Sequence, residues 1–266
     1  MRGSCGVVIG WLGMMTMLIH RYVTILVVAF VALWSPVKAE HISIIGGEIP
    51  FVFHHAKPGP HNTFYEQVLR KCVSSHEIKY LPYRRAVRDF AARGADCLYV
   101  ATDTKENYPK DAIANNEIIF SNTINRINLH AYTRRDAPVI KSLMDLAGKT
   151  IAGAPSHLEK LSTLPNLKNK LNTISTINHI KAFDLLERER VDVVLAYEFD
   201  HALSEAGQNS DPHHFNNDFI INTTNEVVAC WVSPDTTEFI NTLNTAIAKW
   251  RESKKLDALF GRSGGQ

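Results

Sequence analysis

Charged and hydroxyl side chains directly follow two apolar runs in the first third of the chain. Tyr83 and Arg85 come after the run 77–81, and Asp103 comes after the run 96–100. Such residues can hold a small polar molecule, because a guanidinium donates several hydrogen bonds to oxygen atoms and hydroxyls both donate and accept. Carboxylates beside a tyrosine could also perform acid–base chemistry. The sequence pairs no nucleophile with a base, which favours binding over catalysis.

A strand, a helix and a second strand are predicted to position these residues. The run 77–81 alternates like a strand, 83–92 has apolar residues at helical spacing, and 96–100 is a second apolar run. Pro82 ends the first strand and Gly94 ends the helix. A helix of this length crosses a sheet, so both strands should be parallel and end at one edge. Open α/β sheets bind ligands at that carboxyl edge.

Composition bounds the class of protein. The chain has 266 residues, of which 45% are hydrophobic, enough for a buried core in one or two domains. Its formal net charge is +2, and without residues 1–39 it retains 26 basic and 27 acidic residues. A balance so near neutrality argues against a general nucleic-acid-binding surface.

The first 39 residues are predicted to be a signal peptide. They contain two apolar runs, 7–19 and 22–34, and no acidic residue. Small residues at Val37 and Ala39 suit cleavage after Ala39, with export to the periplasm. The length of the leader leaves two alternatives, a true start at Met17 or an uncleaved membrane anchor.

Three cysteines remain after this cleavage, and an oxidising compartment allows two of them to pair. Cys72 and Cys97 belong to the same predicted half of a sheet, so we expect a Cys72–Cys97 disulfide with Cys230 unpaired. Three buried, reduced cysteines are an equally open alternative.

Histidines cluster in two segments, His54, His55 and His61 in one and His213–His214 in the other. Imidazoles bind transition metals. Adjacent histidines on an extended chain point in opposite directions, however, and no carboxylate or cysteine accompanies them at ligand spacing. The sequence therefore predicts solvated loop histidines, with no metal and no cofactor.

Several motifs carry a family resemblance. They are the turn L-P-Y-R-R (81–85), the helix end G-A-D (94–96), the segment T-K-E (104–106) and, later, D-L-A-G-K-T-I (145–151) and V-D-V-V-L-A (191–196). In this pattern the chain resembles bacterial extracellular solute-binding proteins of family 3, the amino-acid type that serves ABC transporters.

The resemblance implies a type II periplasmic-binding-protein-like α/β fold with two lobes. Each lobe is a mostly parallel sheet flanked by helices, and two crossing strands join them. The implied boundaries are 40–124 with 226–266 for lobe one and 125–225 for lobe two. The implied function is capture of a small polar solute by hinge closure, by a monomer that meets an ABC transporter permease. Two alternatives remain, a dehydratase-like lyase on the same scaffold and a membrane-tethered sensory domain.

The resemblance also implies which residues face the solute. On one wall these are Glu48, Phe51, Tyr83, Arg85, Thr102, Asp103 and Thr104, and on the other wall Ser156, His157 and Tyr197.

The chain departs from the family pattern at the positions that hold the ligand's charged groups. Asn107 stands where an arginine grips a carboxylate, and Tyr197 stands where a carboxylate takes an amine. Glu48 and Pro155 replace a stacking aromatic residue and a glycine, respectively. Arg85 is therefore the expected anchor for an anionic or carbonyl group. The alternative is a surface arginine at the start of the helix that pairs with Asp89 one turn later.

Overall fold

The computed structural model describes residues 41–73, 75–167, 169–176, 179–200 and 213–261. Its strands are β1 (His41–Glu48), β2 (Ser75–Pro82), β3 (Cys97–Thr102), β4 (Ile118–Phe120), β5 (Asn125–Arg134), β6 (Thr150–Gly153), β7 (Asn172–Ser175), β8 (Val193–Tyr197), β9 (His213–His214) and β10 (Asn222–Trp231). Its α-helices are α1 (Pro60–Gln67), α2 (Tyr83–Ala91), α3 (Lys110–Ala114), α4 (Pro155–Ser162), α5 (His179–Glu187), α6 (Pro234–Glu252) and α7 (Lys255–Leu259). None of the helices in these ranges is long and apolar enough to cross a membrane.

The strands form one sheet in the order β2-β1-β3-β10-β5-β8-β6-β7, with β4 paired to β10 and β9 to β5. At one end β1 pairs in parallel with β2 and β3, and at the other β6 pairs in parallel with β7 and β8. The antiparallel strands β10 and β5 stand between these two parallel sets. We call the parallel sets the first and second half-sheets. This arrangement confirms the predicted α/β fold with two joining strands.

Each joining strand pairs with both its partner and a half-sheet. The segment 222–226 of β10 pairs with 125–129 of β5, and 226–230 of β10 then pairs with β3. The polar residues Thr223, Thr224 and Asn225 do not interrupt the strand, and all three lie inside the continuous strand β10. Threonine is a good strand former, and these residues find hydrogen-bond partners on neighbouring segments.

Both faces of the inner strands of each half-sheet are buried, whereas the edge strand β7 is exposed. Successive residues alternate between clusters, so Ile44 packs in one apolar cluster and Ile45 in another across β1. In the same way Ile151 and Ala152 of β6 enter different clusters. Helices that cover both faces of parallel strands produce this pattern, and it explains the nearly unbroken apolar runs in the sequence.

A disulfide joins Cys97 to Cys230, so the predicted Cys72–Cys97 bridge is wrong. Cys230 on β10 stands opposite Cys97 on β3 in antiparallel register, and their Cα atoms are 4.1 Å apart. Among the residues that the structure describes, Cys72 is free, and its Sγ donates to the Val68 carbonyl at 3.3 Å. Sequence spacing does not show that a strand 133 residues later lies beside β3.

Removing this bridge by Cys230→Ala should lower the free energy of unfolding by about 5 kcal/mol, because a crosslink that closes so long a loop strongly restricts the unfolded chain. Denaturant unfolding of protein without residues 1–39, in the absence of reductant, measures the change, and Cys72→Ala, which breaks no crosslink, is the control. Equal losses in the two variants, or peptide mapping that finds free thiols at 97 and 230, would contradict the assignment.

Candidate functional site

The carboxyl ends of the first half-sheet meet as predicted from the strand–helix–strand pattern. Glu48, the last residue of β1, stands beside Pro82 at the end of β2, and Tyr83 begins α2 directly afterwards. The Tyr83 ring lies against Gly47, where an added Cβ would stand 2.8 Å from the ring, so a larger residue there would displace it. Thr102 ends β3 and hydrogen-bonds the Tyr83 hydroxyl.

Tyr83 and Tyr197 bring the two half-sheets into electrostatic contact. Burial raises the pKa of Tyr83 to about 12, with Tyr197 and Glu226 adding to the rise and the hydrogen bond with Thr102 opposing it. Burial also raises the pKa of Tyr197, whose hydroxyl lies 3.4 Å from the Thr224 Oγ1 on β10. Residues from both half-sheets and from a joining strand therefore converge on one polar region.

Glu226 is a buried carboxylate at the centre of this region, and sequence reasoning missed it. Its Oε2 accepts hydrogen bonds from His61 Nε2 at 3.0 Å and from Asn125 Nδ2 at 2.7 Å. His61 Nδ1 in turn lies 3.1 Å from the Tyr99 hydroxyl. The prediction that His61 is a solvated loop histidine is wrong, since His61 and Glu226 are 1% and 3% exposed. The sequence signal that could have indicated a buried carboxylate is the single glutamate directly before the apolar run 227–231.

His213 was also predicted to be solvated, and that prediction is wrong too. It is buried on β9, with its ring 4.9 Å from the Phe183 ring of α5. His214 is half-buried, and its Nε2 lies 2.8 Å from the Ala137 carbonyl. The short pairing of β9 with β5 covers both histidines, and a strand of two residues is too short to show a periodic pattern in the sequence.

In the turn after β3, polar groups that were predicted to bind a ligand make hydrogen bonds within the protein. Asn107 Nδ2 donates to Thr102 Oγ1 at 2.9 Å, and the Tyr108 hydroxyl donates to the Thr102 carbonyl at 2.5 Å. Asp103 is exposed, and its Oδ2 accepts from Asn225 Nδ2 at 2.7 Å. Thr104 is half-buried and stands at the N-cap position of the short 3₁₀ turn that follows, without a side-chain cap hydrogen bond. The bonds of Asn107 and Tyr108 tie the turn to β3, and the bond of Asp103 ties it to β10.

The residues predicted to form the opposite wall begin in the first turn of α4. Ser156 is exposed, and the half-buried His157 ring stands edge-on to Tyr197 with centroids 5.0 Å apart. Pro155 has no N–H, and the His157 amide already donates to the Ala154 carbonyl at 3.0 Å. Little capacity for binding an anion therefore remains at this helix start.

A second carboxylate missed by sequence reasoning follows β8. Asp200 accepts from the Tyr197 amide at 3.3 Å, and its Oδ1 lies 3.1 Å from His179 Nδ1. Burial raises the pKa of Asp200, and the charge of His179 opposes that rise. The Asp200 carboxylate thus lies beside Tyr197, whereas the family pattern places a carboxylate at position 197 itself.

Arg85 and Phe51 lie at the rim, in solvent. Arg85 is exposed on α2, and within the described residues it makes no ion pair with Asp89, which pairs with Lys79 at 3.6 Å. Phe51 is 51% exposed at the tip of a turn with φ 61°, a conformation that favours glycine. The inner residues Tyr83, Thr102 and Tyr197 are thus brought together, whereas these two are not packed against them.

Solved structures share this fold. The GluR0 ligand-binding core in complex with L-glutamate matches with a TM-score of 0.67 and 17% identity, covering 86% of this chain and 100% of that one. An ancestral arginine-binding protein bound to arginine matches with a TM-score of 0.60 and 16% identity, covering 85% of this chain and 98% of that one. The probable amino-acid ABC transporter extracellular-binding protein ytmK from Bacillus subtilis matches with a TM-score of 0.64 and 13% identity, covering 84% of this chain and 97% of that one. No family model and no curated protein sequence matches the chain.

Structural similarity at such low sequence identity shows the class of fold. The chain has the two-lobed periplasmic-binding-protein-like fold, in which each half-sheet with its helices forms a lobe and β5 and β10 cross between them.

Glu226→Ala should lower the free energy of unfolding by roughly 3–5 kcal/mol, because it leaves the buried His61 and Asn125 without their shared acceptor. Glu66→Ala, which removes a solvent-exposed ion pair with Arg70, is the matched control and should cost less than about 1 kcal/mol. Urea unfolding of both variants makes the comparison. A loss at Glu226 no larger than that at Glu66 would show that the buried pair contributes nothing.

Proposed function

We propose that this protein is a periplasmic solute-binding protein that captures a small polar solute between its lobes by hinge closure. The observation that carries the proposal is the convergence of Tyr83, Tyr197 and Glu226 from two lobes and a crossing strand. A ligand held between two lobes touches both, so residues on opposing walls must approach one another. The likeness to amino-acid-binding proteins supports the same function.

The lobe boundaries proposed are 40–124 with 226–266, and 125–225. The boundary residues Asn125 and Glu226 are paired neighbours on the crossing strands, where a small change in backbone angles can rotate one lobe against the other. Secretion with cleavage after Ala39, a monomeric state and delivery to an ABC transporter permease complete this proposal. The leader lies outside the described residues.

The solute is proposed to contact an inner set and a rim set. The inner residues are Tyr83, Thr102, His157 and Tyr197. The rim residues are Glu48, Phe51, Arg85, Asp103, Thr104 and Ser156. Arg85 is exposed in this structure, and closure of the second lobe over it would remove the guanidinium from water. A desolvated guanidinium binds a carbonyl or an anion strongly.

Native mass spectrometry of protein isolated from its own periplasm should show a single small solute that leaves on unfolding. A protein that consistently carries nothing, and gains stability from no small polar solute in a thermal screen, would contradict the binding function. Chemical conversion of the released solute by fresh protein would instead assign an enzyme.

Calorimetric titration with the released solute then tests Arg85. Arg85→Ala should weaken binding by roughly 2–5 kcal/mol, the effect of losing a desolvated charged anchor. Arg84→Ala removes the adjacent exposed arginine and should change binding by less than about 1 kcal/mol. Equal, small effects would remove Arg85 from the site while leaving the binding function intact.

A further inference from the structure

The loop after β1 brings two histidines and a carboxylate together. Glu48, His54 and His55 each offer a metal-ligating atom, and these three atoms lie within 4.8 Å of one another. Glu48 Oε1 contacts His55 Nδ1 and lies 3.8 Å from His54 Nδ1. The two imidazole rings stack with centroids 4.6 Å apart and planes 18° apart. Both sequence arguments against a metal site, opposed rings and a missing carboxylate, are therefore wrong for this pair.

A tight turn produces this arrangement. Ile49 and Phe53 bridge through backbone hydrogen bonds of 2.8 and 2.9 Å, with Phe51 in the left-handed region between them. The Phe53 ring is completely buried and stacks on Tyr80 with centroids 5.1 Å apart, which anchors the turn to β2. Glu48 precedes the bridge and His54 follows it, so the turn sets their side chains next to each other.

The ligand-bearing backbone is held in place before any ion binds. Asn62 on α1 accepts from the His54 amide at 3.1 Å and donates to the His54 carbonyl at 3.2 Å. The Glu48 side chain is 12% exposed, whereas the His55 side chain is 62% exposed. Two fixed ligands beneath one accessible ligand suit an ion that enters from solvent.

We propose that Glu48, His54 and His55 bind a divalent late first-row transition metal ion of the zinc type. Two imidazoles with one carboxylate match the preference of these ions, whereas Mg²⁺ and Ca²⁺ prefer oxygen ligands alone. Three protein ligands leave a coordination position for water or another molecule. Glu48 also belongs to the rim set of the proposed function, so the metal and the solute share one residue, and zinc binding has to be tested on protein without solute.

One local interaction competes with the metal. The amides of Ala56 and Lys57 donate to His54 Nδ1 at 3.0 and 3.2 Å, and a metal bound at that nitrogen displaces both. Ala56 and Lys57 are exposed, so water can replace the lost hydrogen bonds. The lone pair of His54 Nδ1 is thus available to a metal at small cost.

Zinc titration of untagged exported protein, stripped of solute and treated with chelator, tests the site. Calorimetry with metal analysis after dialysis should give one zinc bound per chain and no binding of Mg²⁺ under the same conditions. Stripping makes the result independent of solute capture, so its failure and that of the solute-binding function are distinguishable.

Variants assign the zinc to these residues. His55→Ala and Glu48→Gln should each weaken zinc binding at least about tenfold, since each removes a ligand. His76→Ala, which removes a β2 histidine paired with the Tyr65 hydroxyl, should leave the affinity unchanged. Circular dichroism of the metal-free variants confirms folding. Absence of stoichiometric zinc in the wild type, or equal zinc affinity in all four proteins, would overturn the site and leave only a His55–Glu48 hydrogen bond.

Discussion

The antiparallel pairing of β5 with β10 joins the two lobes, and the buried Glu226 fixes its position. Glu226 stands in register with Asn125 on one side and Thr102 on the other, and it binds His61 from α1. A carboxylate withdrawn from water is tolerated only with such partners, because its desolvation is costly. The same group therefore holds the crossing strands β5 and β10 together beside α1.

Glu226 also stands at the centre of the polar region between the half-sheets. Tyr83 reaches this region from α2, Tyr197 from β8 and Thr224 from β10. Phe199 of the second lobe also packs against the apolar cluster of the first. That cluster includes Cys97 and Cys230, so the disulfide fastens β10 to the first lobe.

Local patterns were sufficient for much of the fold. Pro82, Gly94 and the apolar spacing between them located α2 to within a residue, because these signals act over a few neighbours. Errors arose where the answer depended on distant strands. Cys97 found its partner on β10, and His61 was buried by a contact with Glu226 that spans 165 residues.

The candidate site also contains features that local sequence patterns predict and features that they do not. Tyr83 and Thr102 were predicted correctly as neighbours at one sheet edge, because both directly follow strands. The Ile49–Phe53 bridge was not predictable, since it depends on a left-handed Phe51 held by the burial of Phe53. Without that turn, adjacent histidines would point apart. The left-handed turn at Phe51 and the burial of Phe53 thus place His54 and His55 on the same side, where both can bind one metal ion.

The distance between the lobes tests hinge closure most directly. Spin labels on the exposed positions Lys110 of α3 and Glu159 of α4, each changed to cysteine in a Cys72→Ala background, report that distance in pulsed dipolar spectroscopy. A pair at Glu66 and Lys110, both in the first lobe, is the control. Protein carrying its native solute should give a shorter, narrower distance between the lobes than stripped protein, with the control unchanged. Identical distances in both states would contradict hinge closure around a solute.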